Sequence, residues 1–243
     1  MLIDGDLQGL RGIFADQPRV NDPRLGWVEE PLFEAFVLAS HTGLIERQAR
    51  VQTIATTITA LGAVEECILS LVRRGAKVRL PVALSAVISS DGIDSLRIYH
   101  SMWPLIGGHL VRPPILARVP ELIVPGVIGR YHDSLAKADV TGALHEFDPA
   151  AVVREPEGEL YVHRGTAELR RFFGGLFARG GISLESCSLT DDGICCALEY
   201  NVTGWGNPLL PHQAGIAVYK RSDSGLLAAA RMYQDVERPP LPN

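Results

Sequence analysis

The chain has 243 residues, 47% of them hydrophobic and 21% charged, and 23 Lys and Arg against 28 Asp and Glu leave a formal charge of −5. This is the composition of a globular chain long enough for one large core or two small ones. The acidic balance argues against a nucleic-acid surface, which needs clustered Lys and Arg. No apolar run of about 20 residues predicts a membrane helix.

The opening Met1-Leu2-Ile3-Asp4-Gly5-Asp6 lacks the basic and apolar regions of a signal peptide, so a cytoplasmic location is expected. Pro31 then begins a predicted helix near 31–40. Strands are predicted near 47–58, 61–73, 77–89 and 93–101, with Ser90-Asp91-Gly92 as a turn. Arg112-Pro113-Pro114 stops regular structure and marks a boundary, giving expected domains 1–112 and 113–243.

Beyond it, Pro125 suits the first turn of a helix whose Val127, Ile128, Tyr131 and Leu135 share one face. Thr166 is the expected N-cap of a helix running to Arg179. Leu169, Phe172, Phe173, Leu176 and Phe177 form its stripe, and Gly180-Gly181 ends it. Strands follow near 182–190, 194–205, 213–221 and 226–235, with Asp223-Ser224-Gly225 as a hairpin turn. Cys67, Cys187, Cys195 and Cys196 form no CxxC pair, so reduced, buried thiols are expected and no zinc site.

The two halves are copies of each other. Residues 5–23 align with 138–156 without a gap at an offset of 133, with Asp6/Asp139, Gly9/Gly142, Phe14/Phe147, Val20/Val153 and Pro23/Pro156 identical. Asp22 faces Glu155. Arg97-Ile98-Tyr99 matches Arg231-Met232-Tyr233 at an offset of 134. Two anchors at nearly one offset read as a tandem repeat. Helices followed by long strands predict an α+β unit, an antiparallel sheet curved around helices with a pocket between them. The second copy has a full helix before its motif. The first copy lacks that leading helix, and the 119–138 segment is one candidate to replace it.

The run Val127-Ile128-Gly129-Arg130-Tyr131, with Leu135, Asp139, Gly142, Phe147 and Glu155-Pro156, resembles the NTF2-like superfamily. That superfamily includes ketosteroid isomerases, SnoaL-type polyketide cyclases and limonene-type epoxide hydrolases. The resemblance implies a tandem pair of cystatin-like cones, with the pocket in the second copy and the first degenerate. It implies that Tyr131 takes the place of the isomerases' oxyanion-hole tyrosine and Glu155 that of their proton-shuttling aspartate. Asp22 takes the Glu155 position in the first copy. The third family residue, a protonated aspartate, has no acidic match, since its place falls near Gly215 or Ala214. The family register turns Ala230, Met232 and Gln234 toward the pocket.

Each residue also has a plain structural reading. Tyr131 is equally a buried tyrosine on an apolar helix face. Glu155 is equally a solvated strand end, and Asp22, in Asn21-Asp22-Pro23, a turn residue. Trp205, in a Gly204-Trp205-Gly206 break, and His212 are expected at the pocket mouth as substrate-binding residues. The histidines show no HxH or HExxH spacing, so no metal is expected. No GxGxxG motif follows a strand, and no other cofactor is expected.

The expected activity is therefore cofactor-free acid/base chemistry, isomerisation or cyclisation, on a small apolar ketone- or polyketide-like molecule. The alternatives are a small-ligand-binding or structural module and an epoxide-opening cyclase using Glu155 and Asp22. Expected partners are one small apolar molecule, with no nucleic acid and no membrane, and an intramolecular pseudo-dimer or a homodimer of such chains.

Overall fold

Each of the aligned segments lies in one of two units, which divide the chain between Gly108 and His109. The structure is a computed structural model and describes residues 4–206 and 211–235. The first unit runs α1 (Leu7–Gly12), β1 (Val20–Asp22), β2 (Gly26–Val28), α2 (Phe33–Glu46), β3 (Arg50–Ile58), β4 (Gly62–Arg73), β5 (Ala76–Ser89), β6 (Gly92–Tyr99) and α3 (Trp103–Ile106). The second runs α4 (Gly126–Ala136), α5 (Val140–His145), β7 (Phe147–Arg154), β8 (Val162–Arg164), α6 (Gly165–Leu176), a 3-10 turn (Phe177–Arg179), β9 (Ile182–Asp191), β10 (Cys195–Trp205), β11 (Gln213–Arg221) and β12 (Leu227–Met232).

The sheets have one topology. Their strand orders are β2-β1-β6-β5-β4-β3 and β8-β7-β12-β11-β10-β9, the same arrangement once β7 to β12 stand for β1 to β6. Both are mixed rather than the wholly antiparallel sheets expected. The β1 strand runs parallel to β6, and β7 runs parallel to β12. The helices and the long strand meander lie between each such pair and bring the chain back in the same direction. Register shifts between Glu199 and Tyr200 and between Val202 and Gly204 bend the β9–β10 ladder. Each unit is thus an α+β cone, a curved sheet with helices on its inner face.

The repeated sequence positions have repeated jobs. Asp6 Oδ1 accepts the Gly9 N–H at 2.8 Å at the start of α1, and Asp139 Oδ1 accepts the Gly142 N–H at 2.9 Å at the start of α5. Aspartate at an N-cap satisfies a helical N–H that has no carbonyl partner. The glycine keeps that approach open, since a Cβ there would lie 2.1 Å from the carboxylate of Asp6 or 2.5 Å from that of Asp139. Phe14 and Phe147 are both buried, as are Val20 and Val153.

The α4 helix forms as its periodicity predicts, with Val127, Ile128, Tyr131 and Leu135 all buried. It packs into the second unit's own core with Leu169 and Phe173 of α6 and Val153, Leu198 and Tyr219 of the sheet. The first unit's core is built from Leu10, Phe14, Phe33, Val37, Leu80 and Ile98 among others, with no counterpart of α4 among the described residues.

Thr166 does not cap α6. The helix starts at Gly165 after Arg164, whose N–H is taken by the Glu168 carboxylate at 2.7 Å, so a side chain four residues on does the capping. The first unit's main helix begins at Phe33 and extends to Glu46, beyond the predicted end. The hairpins β1–β2 and β7–β8 were not expected as strands: β1, β2 and β8 have only three residues each, too few for alternation to register. All four cysteines are free and buried. No helix among the described residues is long and apolar enough to cross a membrane.

Candidate active site

A pocket opens into the second unit between α4, α6 and the concave sheet face. It has a mainly apolar lining that contains Leu135, Phe172, Leu176, Ile182 and Val202. Tyr131, Glu155, Trp205, Met232 and Gln234 all line it as well. Five of the seven residues singled out in the sequence therefore meet in one place.

Tyr131 is held by ring packing. Its ring meets Phe147 edge-on at 5.1 Å, and Phe173 and Tyr219 at 6.0 Å. Burial pushes its hydroxyl well above the usual phenol value, so it stays protonated and able to donate. Glu155 follows the end of β7. Its N–H is bonded to Tyr161 O at 2.9 Å, which closes the loop between β7 and β8. The side chain is 5% exposed with its residue and is not a solvated strand end. His163 Nε2–H donates to Glu155 Oε1 at 2.7 Å. The His163 ring stacks on Phe172 of α6 at 4.5 Å, which fixes its plane.

His163 carried no motif in the sequence. The β7–β8 register is what brings it in: Val153 pairs with His163, so the imidazole stands beside the strand end that leads to Glu155. A hairpin assignment over 147–164 would have found it.

Two further tyrosines line the pocket, Tyr200 and Tyr219. Tyr200 donates to Gln234 Oε1. The Tyr219 hydroxyl lies 2.8 Å from His132 Nε2. Burial, opposed by the charge of Asp133, lowers the His132 pKa to about 4, so the ring is neutral near pH 7. Burial raises the Tyr200 and Tyr219 hydroxyls as it does that of Tyr131.

The position near Gly215, where the resemblance offered no acid, lies beside the Tyr200–Gln234 pair. Tyr200 pairs with Gly215 across β10 and β11. A Cβ on Gly215 would lie 2.6 Å from Gln234 Oε1 and 2.7 Å from the Tyr200 ring. The glycine therefore admits the close approach of the tyrosine–glutamine pair.

Trp205 is buried and donates Nε1–H to Leu176 O at 3.2 Å, tying β10 to the end of α6. The glycine break around it is needed. Gly206 has φ +63, and a Cβ there would lie 1.4 Å from Arg179 O.

Two expected site residues are elsewhere. His212 is exposed and does not line the pocket, because it precedes the first residue of β11 and its side chain is left in solvent. Asp22 lies at the end of β1 in the first unit. Its Oδ1 accepts the Arg24 and Leu25 N–H groups at 2.8 and 3.0 Å, the turn role open to an Asp before Pro. The first unit's own cavity is lined by apolar residues such as Leu10, Phe33, Phe36 and Ile98, and Asp22 is not among them. Among the described residues no three His, Cys, Asp or Glu side chains group as metal ligands.

No protein-family model and no curated protein matches this sequence. Solved structures similar to it carry names such as NTF2-like, cystatin-fold and ketosteroid isomerase. One is a candidate polyketide cyclase from Sinorhizobium meliloti, at 20% identity over 45% of this chain and 94% of that one, with a TM-score of 0.39. Another is SalBIII, an epoxide hydrolase/cyclase-like enzyme in pyran ring formation in the polyether salinomycin, at 19% identity over 44% and 87% of the two chains, TM-score 0.37. A third is TerC crystallised with polyporic acid, at 17% identity over 45% and 88%, TM-score 0.38.

Proposed function

We propose that the second unit is a cofactor-free acid/base enzyme that isomerises or cyclises a small, largely apolar ketone- or polyketide-like molecule. The observation that carries this reading is that Tyr131 and Glu155, whose carboxylate is bonded to His163, line one mainly apolar pocket.

Removing a proton next to a carbonyl needs a positioned base and a donor aimed at the oxygen that gains charge. In this reading Glu155 takes the proton from carbon and Tyr131 donates to the enolate oxygen. Glu155 then returns the proton at a second carbon, so that the substrate is rearranged and the enzyme restored. His163 keeps the carboxylate oriented between the two transfers. The aromatic walls, Phe172, Tyr200 and Trp205, favour a flat apolar substrate. With Asp22 engaged in a turn of the other unit, the epoxide reading loses one of its two acids.

The test is turnover of β,γ-unsaturated ketones, 1,3-diketones and epoxides by the wild type, Tyr131→Phe and Glu155→Gln. Ketone turnover should fall by about 100-fold or more in each variant. Equal turnover by all three proteins would sink the reading. Saturable ketone binding without turnover by the wild type would leave a ligand-binding module instead.

A further inference from the structure

The loop that presents Glu155 presents a second carboxylate. Pro156 and Glu157 line the same pocket as Glu155. Glu157 Oε1 lies 3.8 Å from His109 Nε2, with both side chains nearly buried, at 7% and 13% exposure. The other ring nitrogen, His109 Nδ1, lies 2.7 Å from Asp235 Oδ1. Asp235 Oδ2 in turn accepts the Leu110 N–H at 2.6 Å, which holds the aspartate in place. Residues 109, 157 and 235 are remote in sequence and come together from the segment before α4, the β7–β8 loop and the chain beyond β12.

A histidine bonded through Nδ1–H to a carboxylate has its tautomer set, with Nε2 left to exchange a proton. Here Nε2 faces Glu157. The 3.8 Å separation is ion-pair reach; catalytic hydrogen bonds in ligand-free sites commonly tighten when substrate binds. The pocket thus has two carboxylates, each backed by a different histidine.

We propose that Glu157 is the second proton-transfer residue of this pocket, the acid to Glu155's base, positioned and reloaded by His109 and Asp235. This rests on the acid/base reading above and extends it to a substrate class, a compound with two ketone groups. Glu155 takes a proton from the carbon beside one carbonyl. The resulting enolate carbon bonds to the second carbonyl carbon, whose C=O electron pair moves to oxygen. That oxygen takes the proton of Glu157 and becomes a hydroxyl. One C–H bond is broken, one C–C and one O–H bond are formed, and no oxidant is needed. Glu155 gives its proton to water, and His109 returns one from water to Glu157.

The experiment uses the full chain and a 1,5-diketone in D2O, and follows deuterium entry at carbon separately from ring closure. Glu155→Gln should lose both. Glu157→Gln should keep deuterium entry within about threefold and lose ring closure by about 100-fold. His109→Gln should slow ring closure and move its pH profile, which a merely structural contact would not do. Loss of both steps, or of neither, in Glu157→Gln overturns the proposal. If the wild type shows neither step, the acid/base reading has failed separately, and the histidine spectrum decides for Glu157. Bound 2-naphthol should then shift the His109 ring 15N signal in the wild type and not in Glu157→Gln. An unmoved His109 signal overturns the link between Glu157 and the pocket.

Discussion

In the second unit His163 stands across from Val153 and bonds Glu155; at the matching place in the first unit, Val28 stands across from Val20. The same substitution of packing for chemistry recurs around both interiors. Phe33, Phe36 and Val37 repeat the spacing of Leu169, Phe172 and Phe173, but the register position of His163, whose ring stacks on Phe172, is held by Val28. The position of Glu155 is taken by Asp22, whose carboxylate is spent on two turn N–H groups. The helix that supplies Tyr131 has no counterpart among the described residues of the first unit. A shared strand order therefore carries two different interiors, one lined by apolar side chains alone and one whose mainly apolar lining also holds two carboxylates and three tyrosines. Topology is set by hydrophobic pattern and caps, and tolerates wide changes in what faces the cavity.

This contrast can be broken most sharply by activity. If the second unit alone works, Glu155→Gln lowers ketone turnover by about 100-fold or more, while Asp22→Asn leaves it within about threefold. Comparable losses from both would mean that the first unit takes part.

Core truncation is next in size. Phe33→Ala and Phe173→Ala, each at an almost fully buried position, should each cost about 3–5 kcal/mol in denaturant unfolding. An effect confined to one of them would show that only one unit has a core that sets stability.

The pH dependence of stability should come from the second unit. The His132 pKa is lowered to about 4 in the fold from 6.5, so the unfolded chain binds more protons between these values. Stability is then lost as pH falls from 6.5 towards 4, by up to about 3 kcal/mol, and His132→Asn should flatten this arm of the profile.

The smallest effect tests the likeness rather than the difference. Asp6→Ala and Asp139→Ala each remove one N-cap bond and should each cost about 1 kcal/mol by thermal unfolding. Unequal costs would mean that the matched caps are not equivalent.

Much of the architecture was open to reading along the chain. Asp-x-x-Gly with a following Phe marked the matching point in each unit, because a cap, a close approach and a core contact are local requirements. The α4 stripe and the eight long strands followed from period and turn residues. The mixed sheet was not legible, since which strand returns beside β1 or β7 depends on contacts between residues far apart in sequence. Of the residues that line the pocket, Tyr131, Glu155, Trp205, Met232 and Gln234 had been singled out along the chain. His163 was missed because its meaning lies in a hairpin register, and Glu157 because the histidine it faces, His109, is 48 residues away.

Local signals along the chain were thus enough for the duplication, the helix starts and the apolar faces, because caps, turns and periodicity act over a few residues. The company each carboxylate keeps was settled only by folding. Asp22 and Glu155 occupy one aligned position, yet one faces its own turn and the other an imidazole from the next strand. Electrostatic partnership depends on distance in space, and that distance is set by the register and packing of the whole unit.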